Sequence, residues 1–363
     1  MKTEGTTQTA GPHPVVARDL DEVCDRAREP LQRLAGSTVL VAGAAGFLPS
    51  YVVDALARAN ERVLAEPCRI VCLDNLLTGV PERLAHLEER DDVVFLQKDV
   101  TQDVAVDGPV DWLVHGASVA SPTWYRRYPL ETIDVNVTGT RRLLDLVGEK
   151  GARSFLYLSS SEIYGDPPPD QVPTTEEFVG LVSCTGPRAP YDESKRLAET
   201  LCATYFRLHR TRVKIVRPFN VYGPRLRLDD GRVVPDFVRD ALGGGPVRVL
   251  SDGRVTRSFC YIADFVAGLL HLLVHGRDGE AYNLGNDEET TILALAELTA
   301  GTAGEGVEVE YARSDDPLYL TDNPQRRCPD LTKTKAAVDW RPEITLRDGL
   351  SRTLAYYREG GVG

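Results

Sequence analysis

Six short apolar runs constrain this chain more than anything else in it: TVLVAG (38–43), RIVCLDN (69–75), VVFLQKDV (93–100), DWLVHGAS (111–118), SFLYLSSSEIYG (154–165) and VKIVRPFN (213–220). Segments of helical period lie between them, such as FLPSYVVDALARAN and ETIDVNVTGTRRLLDLVGEKG. Continuous apolar character marks strands covered on both faces, and parallel strands need a crossover to return. The expected class is therefore α/β, with a doubly wound parallel sheet. After Asn220 the texture changes to loops and short elements rich in Gly, Pro and Arg. Residues 1–15 read as disordered. ARDLDEVCDRAREPLQRLAG, from Ala17, reads as a helix broken or kinked at Pro30 that packs on the main body or on a partner subunit.

A length of 363 residues allows two domains, and a net charge of −12 argues against a nucleic-acid surface or a polybasic membrane patch. The seven cysteines make no CxxC pair and the six histidines no HxH or HExxH group, so no metal site is expected and the thiols read as reduced. The N-terminus lacks the apolar core of a secretory signal, and no run approaches the ~20 apolar residues of a membrane span. A cytoplasmic protein without membrane or nucleic-acid partners is expected.

Gly43-Ala44-Ala45-Gly46 lies between the first strand and the first helix of the sheet. A turn there brings backbone N–H groups and a positive helix end to a pyrophosphate. Asp74 ends the second strand, where a carboxylate can accept from ribose hydroxyls and would repel a 2′-phosphate, which favours NAD over NADP. Asp99 and Val100 end the third run and can flank an adenine. Ala117 and Ser118 are small where a chain passes close to a cofactor. Pro49 stands where a glycine normally permits close helix–strand packing. In the first helical turn it loses no intrahelical hydrogen bond.

Tyr191 and Lys195 are four residues apart on the helix read from GPRAPYDESKRLAETLCATYF, so a phenol and an ammonium share one face. Alone, such a spacing is ordinarily a solvated pair. Behind a cofactor loop it gains chemistry, because a fixed ammonium favours the phenolate that a base at neutral pH requires.

Together with Asn136-Val137-Thr138-Gly139-Thr140 and Ser160, these features resemble the extended short-chain dehydrogenase/reductase superfamily, from about Thr38 to about Gly360. Within it the chain is most similar to the UDP-glucuronate decarboxylase (UDP-xylose synthase) family. The similarity is carried by SSEIYGDP (160–167), GPRAPYDESKRLAET (186–200), RPFNVYGPR (217–225), DDGRVVPDFV (229–238), VTRSFCYIADFVAGL (255–269) and NPQRRCPDLTKTKAAVDWRP (323–342). Dehydratases of the superfamily carry Asp-Glu after the triad hydroxyl, whereas the decarboxylases carry Ser-Glu, as Ser161-Glu162 does here.

The resemblance implies an NAD-binding Rossmann domain over 37–217 that also receives roughly 256–278. It also implies a smaller C-terminal α/β substrate domain over 218–363 and an N-terminal extension with a helix over 1–36. Implied catalytic residues are Tyr191, Lys195, Ser160, Ser161, Glu162 and Arg257. Implied cofactor residues are Gly43, Gly46, Phe47, Leu48, Asp74, Asn75, Thr78, Asp99, Val100, Ala117, Ser118 and Asn136, with Tyr191 and Lys195. Tyr125, Asn220, Arg225, Arg232, Arg257 and Arg327 are implied to hold a UDP-sugar. The implied reaction oxidises C4 of UDP-glucuronate, releases carbon dioxide and reduces the ketone to UDP-xylose, with release of the 4-keto pentose as a branch. A homodimer is the usual assembly. Departures are Pro49, Asp134 where a lysine is common, and Cys328 where a basic residue is common. The competing readings are a 4-epimerase of an acidic nucleotide sugar and a catalytically silent NAD-binding regulator.

Overall fold

The computed structural model describes residues 11–314, 316, 321 and 323–361. All six apolar runs form strands: β1 (Thr38–Ala42), β2 (Arg69–Asp74), β3 (Val93–Gln97), β4 (Trp112–His115), β5 (Ser154–Leu158) and β6 (Val213–Pro218). A seventh strand, Ala281–Leu284, joins beyond β6. The order is Ala281–Leu284, β6, β5, β4, β1, β2, β3, and every pair is parallel. β1, β4 and β5 are buried at every position, which is why their sequences do not alternate. Each strand is shorter than its apolar run. The residues left over at the C-terminal ends (Asp99, Ser118, Ser160 and Asn220 among them) are freed from the ladder to line a crevice. The crevice opens where β1 and β4 send their connections to opposite sides of the sheet.

The return to the sheet runs further than 256–278. The Ile262–His275 helix packs on β5 and β6, and the Ala281–Leu284 strand that follows is part of the sheet itself. Twelve of that helix's fourteen residues are buried, so its apolar character is that of a core helix. Among the described residues no helix is long and apolar enough to cross a membrane.

The N-terminal helix begins at Pro14, inside the segment expected to be disordered; residues 1–10 lie outside the described residues. It stops at Arg26, before Pro30, and a short Arg28–Gln32 helix follows. It packs on the Phe47–Arg62, Ile262–His275 and Leu346–Arg358 helices of its own chain. There Tyr261 Oη and Arg352 Nη1 donate to the buried Asp19 at 2.7 and 2.8 Å.

The helix expected over 131–151 is two helices, Pro129–Asp134 and Thr140–Lys150, joined by a π-helical turn at Val135–Gly139. In the C-terminal half, the short strand Thr256–Ser258 lies between Glu289–Thr291, antiparallel, and Arg326–Arg327, parallel. The register sets Arg257 beside Arg327.

Candidate active site

Two connected chambers share Gly46, Gly116 and Ser118. The first is bounded by the ends of β1, β2 and β3. Gly43 has φ +78, and a Cβ on it would lie 2.6 Å from the backbone of Ala117, so only glycine fits there. Gly46 begins the 16-residue Phe47–Arg62 helix without a side-chain cap, which leaves first-turn amides available to an anion. The structure accommodates Pro49 through Gly116, where a Cβ would stand 2.5 Å from the proline Cγ.

Asp74 lines this chamber and also braces its loop. Its oxygens accept from Ala45 N–H at 2.9 Å and Leu76 N–H at 2.7 Å. Burial pushes its carboxyl up, and these two N–H groups oppose that. Capacity remains on each oxygen for a hydroxyl donor. Asn75 donates to Asp99 at 2.8 Å. Burial alone would raise Asp99, but bonds from Thr101 and Asn75 outweigh it and hold the carboxyl low. Thr78, Val100, Ala117 and Ser118 complete the wall, and Ser118 Oγ is buried without a partner. Asp134, the departure from lysine, lines this chamber and not the second. Asn136 lines neither chamber. Fully buried in the π turn, it donates to Ser194 Oγ at 2.9 Å and so ties that turn to the Ala189–His209 helix.

The second chamber holds ≈ 1910 Å³ of empty space, its open mouth included, which exceeds what one small ligand fills. Phe47 and Leu48 line its inner end. Tyr191 and Lys195 stand there on the Ala189–His209 helix, both buried. Lys195 Nζ donates to Leu158 O at 2.7 Å and sits 4.9 Å from the Tyr157 ring centroid. Burial pushes the lysine down to about 7. Burial pushes the Tyr191 phenol up to about 12, against a hydrogen bond with Ser160. In the protein alone, burial thus favours the neutral form of both groups, the lysine losing its proton near neutral pH and the phenol keeping its own. A phenolate there calls for added positive charge, which an oxidised nicotinamide carries. Tyr125 stacks on Tyr191 with centroids 5.2 Å apart, and its hydroxyl is buried without a partner.

Ser160 begins the short helical turn Ser161–Tyr164 by accepting from Glu162 N–H at 3.1 Å, which aims Ser161 and Glu162 into the chamber. Arg327 grips both Glu162 oxygens, the longer contact being 2.8 Å, and Arg188 binds Oε2 as well. Burial alone would raise Glu162, but the two guanidiniums overcome it and hold the carboxyl far below its usual range. Arg257 donates to Thr256 O at 2.7 Å and Asn323 Oδ1 at 2.6 Å, and it has no carboxylate partner among the described residues. Burial, reinforced by the charge of Arg327, pushes it down to about 9. Asn220 lines the wall, its amide fixed on Ser258 O at 3.0 Å. Arg232 lines it too, already paired with Asp230.

Arg225 does not line either chamber. It is buried below the cofactor loop, paired with Asp54 at 2.7 Å and stacked over Tyr51 at 5.2 Å. The expectation of a substrate contact there is corrected: the guanidinium is held in the core by the buried carboxylate of Asp54. Cys328 is also buried, its thiol 3.5 Å from Asp287 O. Arg188 was not singled out from sequence. The signal was the cation three residues before Tyr191, at the start of the same helix.

A phenol–ammonium couple beside a serine hydroxyl, next to a chamber lined by a glycine loop and a strand-end carboxylate, defines an oxidoreductase-type site of the short-chain dehydrogenase/reductase class. The profile of the NAD dependent epimerase/dehydratase family matches residues 39–285, and the chain belongs to that family. It is 39% identical over 320 residues to UDP-glucuronic acid decarboxylase 1 of Arabidopsis thaliana, covering 88% of this chain and 69% of that protein. To UDP-glucuronic acid decarboxylase 1 of Xenopus tropicalis it is 36% identical over 321 residues, covering 88% of this chain and 72% of the other. Among solved structures it is similar to a dTDP-glucose 4,6-dehydratase from Streptomyces venezuelae with NAD bound, at TM-score 0.77 and 27% identity over 89% of this chain and 97% of that one. It is also similar to UDP-glucose 4-epimerase from Thermotoga maritima, at TM-score 0.78 and 26% identity over 89% and 99%. The family is NAD-dependent. The residues present fit that cofactor: a loop only glycine can form, uncapped helix amides, a strand-end carboxylate and the unpartnered Ser118 hydroxyl.

Proposed function

We propose that the chain is a UDP-glucuronate decarboxylase that forms UDP-xylose. The observation that carries this is Glu162, held between Arg188 and Arg327 in the chamber of Ser160 and Tyr191, with Arg257 nearby and without a carboxylate partner among the described residues. The relatives bearing that name, at 36–39% identity, support it. The surplus positive charge of this cluster, three guanidiniums against Glu162 and Asp192, suits a diphosphate joined to an acidic sugar.

Gly43, Gly46, Asp74, Asp99 and Ser118 would hold NAD, which supplies the acceptor and later donor of the C4 hydride. Tyr191, as phenolate beside the Lys195 ammonium, takes the proton of the sugar 4-hydroxyl, and Ser160 orients that hydroxyl. The ketone so formed is β to the C6 carboxylate. As carbon dioxide leaves, the C5–C6 electrons pass to the ketone oxygen, where Ser160 and the Tyr191 hydroxyl stabilise the enolate. C5 then takes a proton. Held as an anion, Glu162 can orient a water for that transfer but has no proton of its own to give. Tyr191 returns its proton when C4 is reduced. Arg257, Asn220 and Arg232 are read as the diphosphate contacts, and Tyr125 as a contact of the sugar carboxylate.

This reading places the cofactor mainly on 37–217 and the substrate mainly on 218–363. It extends to a cytoplasmic homodimer. The exposed Leu130, Ile133, Leu197 and Leu208 on the Pro129–Asp134 and Ala189–His209 helices support such an interface, and seven unpaired cysteines support a reducing compartment. Incubation with UDP-glucuronate and NAD, with products identified by mass and NMR, tests the assignment. UDP-xylose and carbon dioxide are expected. UDP-galacturonate without carbon dioxide would replace it with the epimerase reading, and an unchanged substrate would sink it.

A further inference from the structure

The catalytic helix meets the end of β5 through three side chains. Tyr191, Lys195 and Glu199 recur every four residues on one face. They engage three successive residues: Ser160 through Tyr191, Leu158 O through Lys195 at 2.7 Å, and Ser159 Oγ, which donates to Glu199 Oε1 at 2.5 Å. Glu199 is held from the other side by Arg217 of β6, whose Nε and Nη2 donate to its two oxygens at 2.9 and 2.7 Å. Arg217 is itself fixed on Tyr164 Oη at 2.7 Å and Glu176 O at 2.9 Å. Glu199 lines neither chamber and touches nothing that reacts.

We propose that Glu199 is a positioning residue for the Tyr191–Lys195 couple. It locks the Leu158–Ser160 strand end against the helix and keeps a negative charge one turn beyond the lysine. The inference rests on the redox half of the proposed function. The other groups facing Lys195 are poorly placed to supply that charge. Tyr157 of β5 presents its ring, and burial keeps its phenol protonated. His115 of β4 is neutral, burial having pushed it down to about 3. Cys202, on the same helix, is a thiol because burial pushes it up. Glu199 is the carboxylate acting on the lysine, and it opposes the burial that drives the ammonium to lose its proton. Arg217 moderates that charge without removing it.

The test uses the full chain with NAD and the variants Glu199→Gln, Glu199→Asp and Arg217→Gln. Two readouts are taken: the pH profile of kcat/KM, and the Tyr191 phenolate absorbance, as the difference between each protein and its own Tyr191→Phe version. Removing the negative charge favours the deprotonated forms of both groups, so Glu199→Gln should move both limbs to lower pH by about half a unit or more. Arg217→Gln should move them upward, and Glu199→Asp should restore most of the original position. A fall in kcat or Tm with both limbs unmoved would reduce Glu199 to a packing ion pair and overturn the proposal. If Glu199→Gln does not fold, Arg217→Gln decides alone: an unmoved or lowered profile overturns it. The phenolate titration needs no substrate, so failure to turn over UDP-glucuronate would refute the proposed function while leaving this inference readable.

Discussion

Pro49 and Gly116 share one small volume beneath the cofactor loop: a Cβ on Gly116 would lie 2.5 Å from Pro49 Cγ. The glycine usual in the helix has in effect moved across to the strand end. Gly116→Ala should therefore cost about 1–3 kcal/mol of overpacking and weaken NAD binding. Pro49→Gly in the same chain should recover most of both. Thermal denaturation and NAD titration of the two single variants and the double variant check this. Additive losses would contradict it.

Glu162 depends on two guanidiniums for its charge. In Arg188→Ala one of them is gone, and the carboxyl should rise toward its ordinary range. Decarboxylation, which in the parent enzyme falls once below neutral pH with the Tyr191–Lys195 couple, should then show a second loss through about pH 4–5 that the parent lacks. Carbon dioxide release measured against pH decides it. Glu162→Gln should lose decarboxylation at every pH, by about 10²-fold or more if it orients the proton donor.

Lys195 links stability to pH. Its ordinary value is 10.5 and burial lowers it to about 7 in the folded chain. Between those values the unfolded chain binds the extra proton, so the cofactor-free protein should gain stability as pH rises from 7 to about 10. Lys195→Met should flatten that rise, a difference of a few kcal/mol at most. Urea denaturation at pH 7, 8.5 and 10 measures it. An equal slope in parent and variant would rule the linkage out.

Arg225 and Asp54 form a buried pair remote from the substrate chamber. Arg225→Met leaves Asp54 charged and short of a partner, so a loss of about 3–5 kcal/mol in stability is expected. KM for the nucleotide sugar should change little at a temperature where the variant is folded. A large rise in KM with unchanged Tm would return Arg225 to the binding site.

The sheet was legible because β1, β4 and β5 are buried on both faces and have no freedom to alternate. The cofactor loop and the Tyr191–Lys195 pair were legible because local spacing carries their chemistry. Arg225 was misread because its partner, Asp54, lies far off in sequence on the Phe47–Arg62 helix. Asn136 was misread because a π turn interrupts an otherwise uniform helical pattern and carries its side chain inward. Arg188 and Glu199 act through partners 26 and 40 residues away, at Glu162 and Ser159, and no local period reports such pairs.

Arg327 belongs to two structures at once. Its backbone pairs with Arg257 on the small sheet, and its guanidinium closes on Glu162. Glu162 takes two of the five N–H donors of that guanidinium, and the buried Nε has no partner among the described residues. The strand that carries Arg257 into the chamber is thus stitched, through its neighbour's side chain, to the carboxylate at the end of β5, and the two halves of the chain close on one ion pair.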